Sequence, residues 1–163
     1  MIEAGDLEII EQQLGRAPRG VADVAWRCPC GKPGVVKTNP RLDNGTPFPT
    51  TYYLTCPRAV AGCSTLEASG LMADMTEHLG SDEALAERYG EAHEAYLADR
   101  AQLGAVPEIE GISAGGMPTR VKCLHVLVGH ALAAGVGVNP LGDEAVELLG
   151  EFWAHPCLPE GDA

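Results

Sequence analysis

The chain is predicted to fold as an α+β protein, on three observations. Residues 21–55 hold short alternating or β-branched runs separated by Gly, Pro and Asn. From residue 65 onward, apolar positions recur at helical spacing. One of these later stretches, 118–134, is apolar nearly all round, the mark of a buried helix. Strands first and helices afterwards give a small antiparallel sheet of about three strands, packed with four or five helices around a buried central helix. At 163 residues one domain is expected, with its core over 6–153 and a frayed tail over 154–163.

Asp6 caps a short amphipathic helix over 6–14, where Leu7, Ile10 and Leu14 share a face and Gly15 follows the end. Residues 21–28 read as a strand, with Ala22, Val24 and Trp26 alternating against Asp23 and Arg27. Residues 29–34 are a turn and 35–38 the return strand. The loop 39–50 is long enough to carry function or cover a site, and docking by Phe48 explains it equally well. Residues 51–55 make the third strand. Helices follow over 65–79 and 81–103, the second capped by Ser81. Its Leu85, Tyr89, His93 and Tyr96 form a packing stripe opposite Glu87, Glu91 and Glu94. After a loop over 104–117, Pro118 opens the central helix and Gly135 closes it. Asp143 caps a last helix over 143–153.

Apolar content of 45% and charge of 21% are those of a soluble globular protein. A net charge of −12 argues against nucleic acid and against anionic membrane as partners. The charge is uneven: residues 16–58 carry +5 within an otherwise acidic chain, which points to an internal charge match or a local anion site. The acidic start and the short, interrupted apolar run at 126–138 suggest no signal peptide and no membrane span, and hence a cytoplasmic protein. In that compartment six cysteines point to metal binding, catalysis or burial before disulfides.

The stretch richest in chemistry is Gly115-Gly116-Met117-Pro118-Thr119-Arg120-Val121-Lys122-Cys123-Leu124-His125. It reads as a glycine turn feeding a helix start, where free N–H groups and the dipole attract anions and favour thiolates. Together with Asn44-Gly45-Thr46-Pro47-Phe48-Pro49-Thr50-Thr51-Tyr52-Tyr53-Leu54-Thr55-Cys56-Pro57 and Gly137-Val138-Asn139-Pro140-Leu141-Gly142-Asp143-Glu144, it closely resembles an uncharacterised actinobacterial family, domain of unknown function 501. The resemblance spans roughly residues 6–150. It implies a cytoplasmic protein of about this length and brings no assigned activity. The family's usual gene neighbours, enolase, a septum-formation coiled-coil protein and an exopolyphosphatase, suggest a role near phosphate metabolism or cell division. Members of the family can carry Asn at the position of Cys30 and His at that of Cys56, and where they do, the resemblance implies that Cys30 is dispensable and that the Cys56 position accepts another ligand-type residue.

Three constellations are candidates. Gly115 and Gly116 would admit a ligand close to the backbone, Arg120 would bind its oxyanion and Lys122 would add a point charge. His125, on the stripe of Lys122, is the candidate acid/base. This is not a Walker loop, and the plainer reading is a turn whose cations pair with acidic helices. Second, Cys28, Cys56, Cys123 and His130 would suit tetrahedral zinc, with an iron–sulfur cluster the weaker alternative. Against this, free Cys is a small core hydrophobe, His130 can be a satisfied core histidine, and Cys28-Pro29-Cys30-Gly31 is one residue short of a zinc knuckle. Third, Cys123 beside Lys122 could serve as a nucleophile, but His125 lies on the wrong side of a continuous helix.

Three function classes follow. The first is a binding protein for a small phosphate- or carboxylate-bearing ligand at 115–125, with a Cys/His metal site in support. The second is an enzyme acting on a phosphorylated or carboxylated small molecule through His125. The third is a non-catalytic interaction protein with a protein partner, connected to cell division.

Overall fold

The computed structural model describes residues 1–158. Its strands β1 (Val21–Arg27), β2 (Pro33–Thr38) and β3 (Tyr52–Leu54) form one antiparallel sheet in the order β1-β2-β3. The described residues hold six helices: α1 (Asp6–Leu14), α2 (Pro57–Ala68), α3 (Leu71–Ser81), α4 (Glu83–Leu103), α5 (Leu124–Ala134) and α6 (Pro140–Leu149). The fold is therefore α+β, with one helix more than expected. No helix among the described residues is long and apolar enough to cross a membrane.

The helix boundaries depart from the expectation for local reasons. Pro57 opens α2 at the first helical position, where its missing N–H costs nothing, so the helix starts well before residue 65. Gly70, with φ of 86°, then splits the expected 65–79 helix into α2 and α3. Ser81 ends α3, and the cap of α4 is Asp82, which accepts from the Leu85 amide at 3.0 Å. Asn139 caps α6 by accepting from the Gly142 amide at 2.9 Å; Asp143 falls inside the first turn. That helix ends at Leu149, before the positive-φ Gly150, and not at residue 153.

The central helix is also shorter than expected. Pro118 does not open it; the Met117–Pro118 peptide is cis and lies within a turn. The Arg120 amide donates to the Gly116 carbonyl at 3.0 Å and the Lys122 amide to the Gly115 carbonyl at 2.8 Å, closing that turn on itself. The Val121 amide goes to Thr76 Oγ1 at 3.0 Å, not into a helical ladder. Regular helix begins only at Leu124.

From there α5 is the core rod the composition predicts. Leu124 and every residue from Val126 to Ala131 are buried. It touches all three strands, α2 and α6. The approach to α6 is backbone to side-chain-free backbone: a Cβ on Gly142 would lie 2.3 Å from the Leu127 carbonyl oxygen. On α4, Tyr89, His93 and Tyr96 are buried while Glu87, Glu91 and Glu94 are exposed, as the stripe predicts. The Phe48 ring rests on Tyr53 at 6.2 Å, docking the 39–50 loop.

Contacts involve the last described segment. Arg58 Nε donates to the Pro156 carbonyl at 3.0 Å, and Cys157 is buried. Residues 159–163 of the expected tail lie outside the described residues.

Candidate functional site

Leu124 is fully buried, which turns its neighbours Cys123 and His125 away from the core together. Cys123 is the N-cap residue, in extended conformation, and His125 lies in the first turn of α5. Both line a cavity of about 590 Å³ between α2, β3 and α5, whose other walls include Leu14, Tyr52, Leu54 and Val60. The third group arrives from α2. Glu67 Oε2 lies 3.1 Å from His125 Nδ1 and accepts from the Leu124 amide at 2.8 Å. Cys123 Sγ lies 3.9 Å from the same ring nitrogen, and Ser64 Oγ is 3.4 Å from His125 Nε2.

Glu67, Cys123 and His125 each offer one ligand atom, all within 4.8 Å of one another. Among the described residues no other three His, Cys, Asp or Glu side chains meet that test. The Glu67 and His125 side chains are about three-quarters buried, at 24% and 27% exposure, so their attraction is only partly screened by water. The Cys123 thiol and the Glu67 carboxylate push His125 up to about 9 against the opposing effect of burial. Groups that raise the ring's affinity for a proton also raise its affinity for a metal cation at the same nitrogen.

Two of the three separations suit one ion. Tetrahedral zinc, with bonds of about 2.3 Å to sulfur and about 2.1 Å to nitrogen and oxygen, sets S and N about 3.6 Å apart and N and O about 3.4 Å apart. The observed 3.9 Å and 3.1 Å are within a few tenths of an ångström of these. A nucleophile triad fits less well. It needs thiol and carboxylate on opposite ring nitrogens, whereas here both face Nδ1.

The expected quartet does not assemble. Cys123 joins Glu67 and His125, whereas Cys28 and Cys56 lie elsewhere and His130 belongs to the core. His130 is fully buried, stacked on Tyr52 at 5.5 Å and edge-on to Tyr96 at 5.0 Å. Asn139 uses its oxygen to cap α6, so its amide nitrogen donates to His130 Nδ1 at 3.2 Å. The ring therefore carries its proton on Nε2, which has no partner. Burial drives His130 down to about 4, so the ring is neutral, as befits a core histidine.

Arg120 and Lys122 are exposed on either side of buried Val121 and do not line the 590 Å³ cavity. Gly115 and Gly116 use their bareness on their own chain: a Cβ on Gly116 would lie 2.7 Å from the Arg120 carbonyl oxygen, and one on Gly115 3.0 Å from Val126. The amide of Leu124 at the helix start is taken by the protein's own carboxylate, Glu67.

Glu67 is the site residue the sequence reading missed, because 56 residues separate it from Cys123. One signal was present. Pro57 marks a helix start, which puts Glu67 in the last turn, at the negative pole where a carboxylate is disfavoured. A carboxylate there needs a compensating partner, and the N-terminus of α5 supplies it.

The fold and site thus define an α+β protein with a partly buried Cys/His/Glu group, two of whose members, Cys123 and His125, line a largely apolar cavity. The family model described as protein of unknown function (DUF501) matches residues 24–147, and the chain belongs to that family. No curated protein and no solved structure matches it.

Proposed function

We propose that the protein holds a metal ion, zinc in class, on Glu67, Cys123 and His125, and uses it to bind a small molecule with an anionic end in the adjacent cavity. The observation that carries this reading is the convergence of Cys Sγ, His Nδ1 and a Glu oxygen beside a 590 Å³ cavity. Three protein ligands leave a fourth tetrahedral position for water or ligand, the pattern of sites that do chemistry rather than hold structure. A carboxylate or phosphate oxygen would take that position, and the apolar wall formed by Leu14, Leu54, Val60 and Val126 would receive a hydrocarbon portion. The anionic ligand expected from the sequence is then met by the ion, with Arg120 and Lys122 outside the cavity.

The test is cobalt substitution. Octanoate, acetate and inorganic phosphate are titrated into the Co(II) protein while its visible spectrum is followed. Octanoate perturbing the spectrum at lower concentration than acetate supports the reading. A spectrum unmoved by all three contradicts it.

A second reading rests on the 3.1 Å contact alone: Glu67 and His125 form a metal-free proton-transfer pair beside the cavity. Turnover of a carboxylated or phosphorylated substrate that survives exhaustive chelation favours that reading.

A further inference from the structure

Four of the six cysteines lie on segments that converge at a second place, about 16 Å from Glu67 as measured along α2 from Cys56. Cys28 follows β1, Cys30 lies in the β1–β2 turn, Cys56 precedes α2, and Cys157 comes from the end of the described chain. All four are free thiols.

The backbone brings these segments together around Pro33 and Gly34. The Cys28 amide donates to the Lys32 carbonyl at 2.9 Å, closing the hairpin turn. The Thr55 and Cys56 amides both donate to the Gly34 carbonyl, at 2.9 and 3.3 Å. Gln13 Nε2 bridges the Pro33 carbonyl at 2.7 Å and Cys157 Sγ at 3.6 Å. The bond from Arg58 to Pro156 ties the same segment to the first turn of α2. Cys30 Sγ and Cys157 Sγ consequently lie 4.0 Å apart. Cys56 is near enough to Cys28 and Cys157 for like charge to help raise both thiols, behind the larger effect of burial.

Burial alone does not account for this cluster. Cys63 shows what a core cysteine looks like here: fully buried and packed among apolar neighbours. Cys28, Cys30 and Cys157 instead touch N–H donors or one another, while Cys56, buried like Cys63, is tied to the same hairpin by its amide bond to Gly34. The Cys30 amide donates to Cys28 Sγ at 3.5 Å, and Gln13 donates to Cys157 Sγ. Neutral thiols accept hydrogen bonds weakly, whereas metal thiolates are commonly oriented and tuned by such outer donors. A disulfide between Cys30 and Cys157 would use two of the sulfurs and leave Cys28 and Cys56 without a role.

We propose that Cys28, Cys30, Cys56 and Cys157 bind one thiophilic divalent ion, zinc in class, as a structural site that fastens the hairpin, the start of α2 and the C-terminal segment together. Four thiolates with tetrahedral geometry select zinc among the common divalent ions. Binding exchanges four S–H protons, released to solvent, for four S–metal bonds, and nothing is oxidised or reduced. The sulfurs are more spread than the Glu67–Cys123–His125 group, so the ion draws them inward by side-chain rotation. The resulting double negative charge is offset by the Cys30 amide, the Gln13 amide and the nearby Lys32 ammonium.

Cys30 supplies the readout in the unaltered protein because it alone of the four is exposed. Its alkylation by N-ethylmaleimide, mapped by peptide mass spectrometry, is measured under reducing conditions with excess EDTA and with two equivalents of zinc. The proposal predicts at least tenfold slower alkylation with zinc. It also predicts that His125→Gln keeps this protection, while Cys157→Ser loses it and binds one zinc fewer than the unaltered chain. Alkylation of Cys30 indifferent to zinc overturns the proposal, as does full zinc content in Cys157→Ser, or a Cys30–Cys157 disulfide as the only protected form. Protection lost in His125→Gln would show that the zinc effect comes from the Glu67 group and would equally overturn it.

Discussion

The backbone amide of Leu124 donates to the Glu67 carboxylate across 2.8 Å, joining the first turn of α5 to the last turn of α2. The negative pole of one helix and the positive pole of the other are thereby bridged by a single side chain. That bridge sets Glu67 beside His125 Nδ1 and gives the candidate ligand group its shape.

In metal-free protein, Glu67→Ala removes the acceptor from the start of α5. Loss of a cap of this kind costs about 1–2 kcal/mol. Glu67→Gln keeps an acceptor and loses less. Urea unfolding in EDTA at pH 7 checks both, with the order unaltered, Gln, Ala in falling midpoint.

His130 gives the fold an acid sensitivity of known sign. Its folded value, about 4, is below the ordinary 6.5, so the unfolded chain binds the proton more readily. The stability due to neutral burial is complete above pH 6.5 and is lost as pH falls from 6.5 to about 4. The gap corresponds to about 3 kcal/mol. His130→Leu removes this part of the pH dependence, whatever it does to stability at pH 7. Denaturant melts of both chains between pH 4 and 7 measure the difference in slope.

Asp6 is nearly buried and accepts from Arg27 through both oxygens, at 2.9 and 2.8 Å. The Arg27 hydrogen bonds hold its carboxyl below the ordinary 3.8 despite burial. Its contribution is therefore present above pH 3.8 and lost as pH falls through the lower folded value. Asp6→Asn is expected to cost about 1–3 kcal/mol at pH 7, discounted for the partial exposure of Arg27. The cost shrinks in strong acid, and paired melts at pH 7 and pH 3 report it.

Gly142→Ala places a methyl 2.3 Å from the Leu127 carbonyl oxygen, where backbone, not a flexible side chain, must yield. Overpacking of this kind costs about 1–3 kcal/mol or more. A thermal melt at fixed pH shows it as a Tm lower by several degrees.

The three strands, the amphipathic α4 and the buried α5 were legible in the sequence because each is written in local periodicity. Helix starts were harder. Pro57, Asp82 and Asn139 open or cap helices where Thr65, Ser81 and Asp143 looked suitable, since several residues compete for each start and tertiary packing decides among them. The site was half legible. Cys123 and His125 stand out as ligand types, but on a continuous helix they point apart. Only the extended conformation of Cys123, set by the turn at 115–119, puts them on one cavity wall. Glu67 and Cys157 are joined to their partners by contacts 58 and 127 positions apart in the chain, which no local pattern records.

The proposed function requires Glu67, Cys123 and His125 to bind a metal ion together. Zinc stoichiometry by equilibrium dialysis, on the EDTA-stripped chain and on His125→Ala and Glu67→Ala variants confirmed to fold, tests it most directly. Each variant is expected to bind one equivalent fewer, or to bind that equivalent at least tenfold more weakly. Zinc content and affinity identical in all three proteins would contradict it.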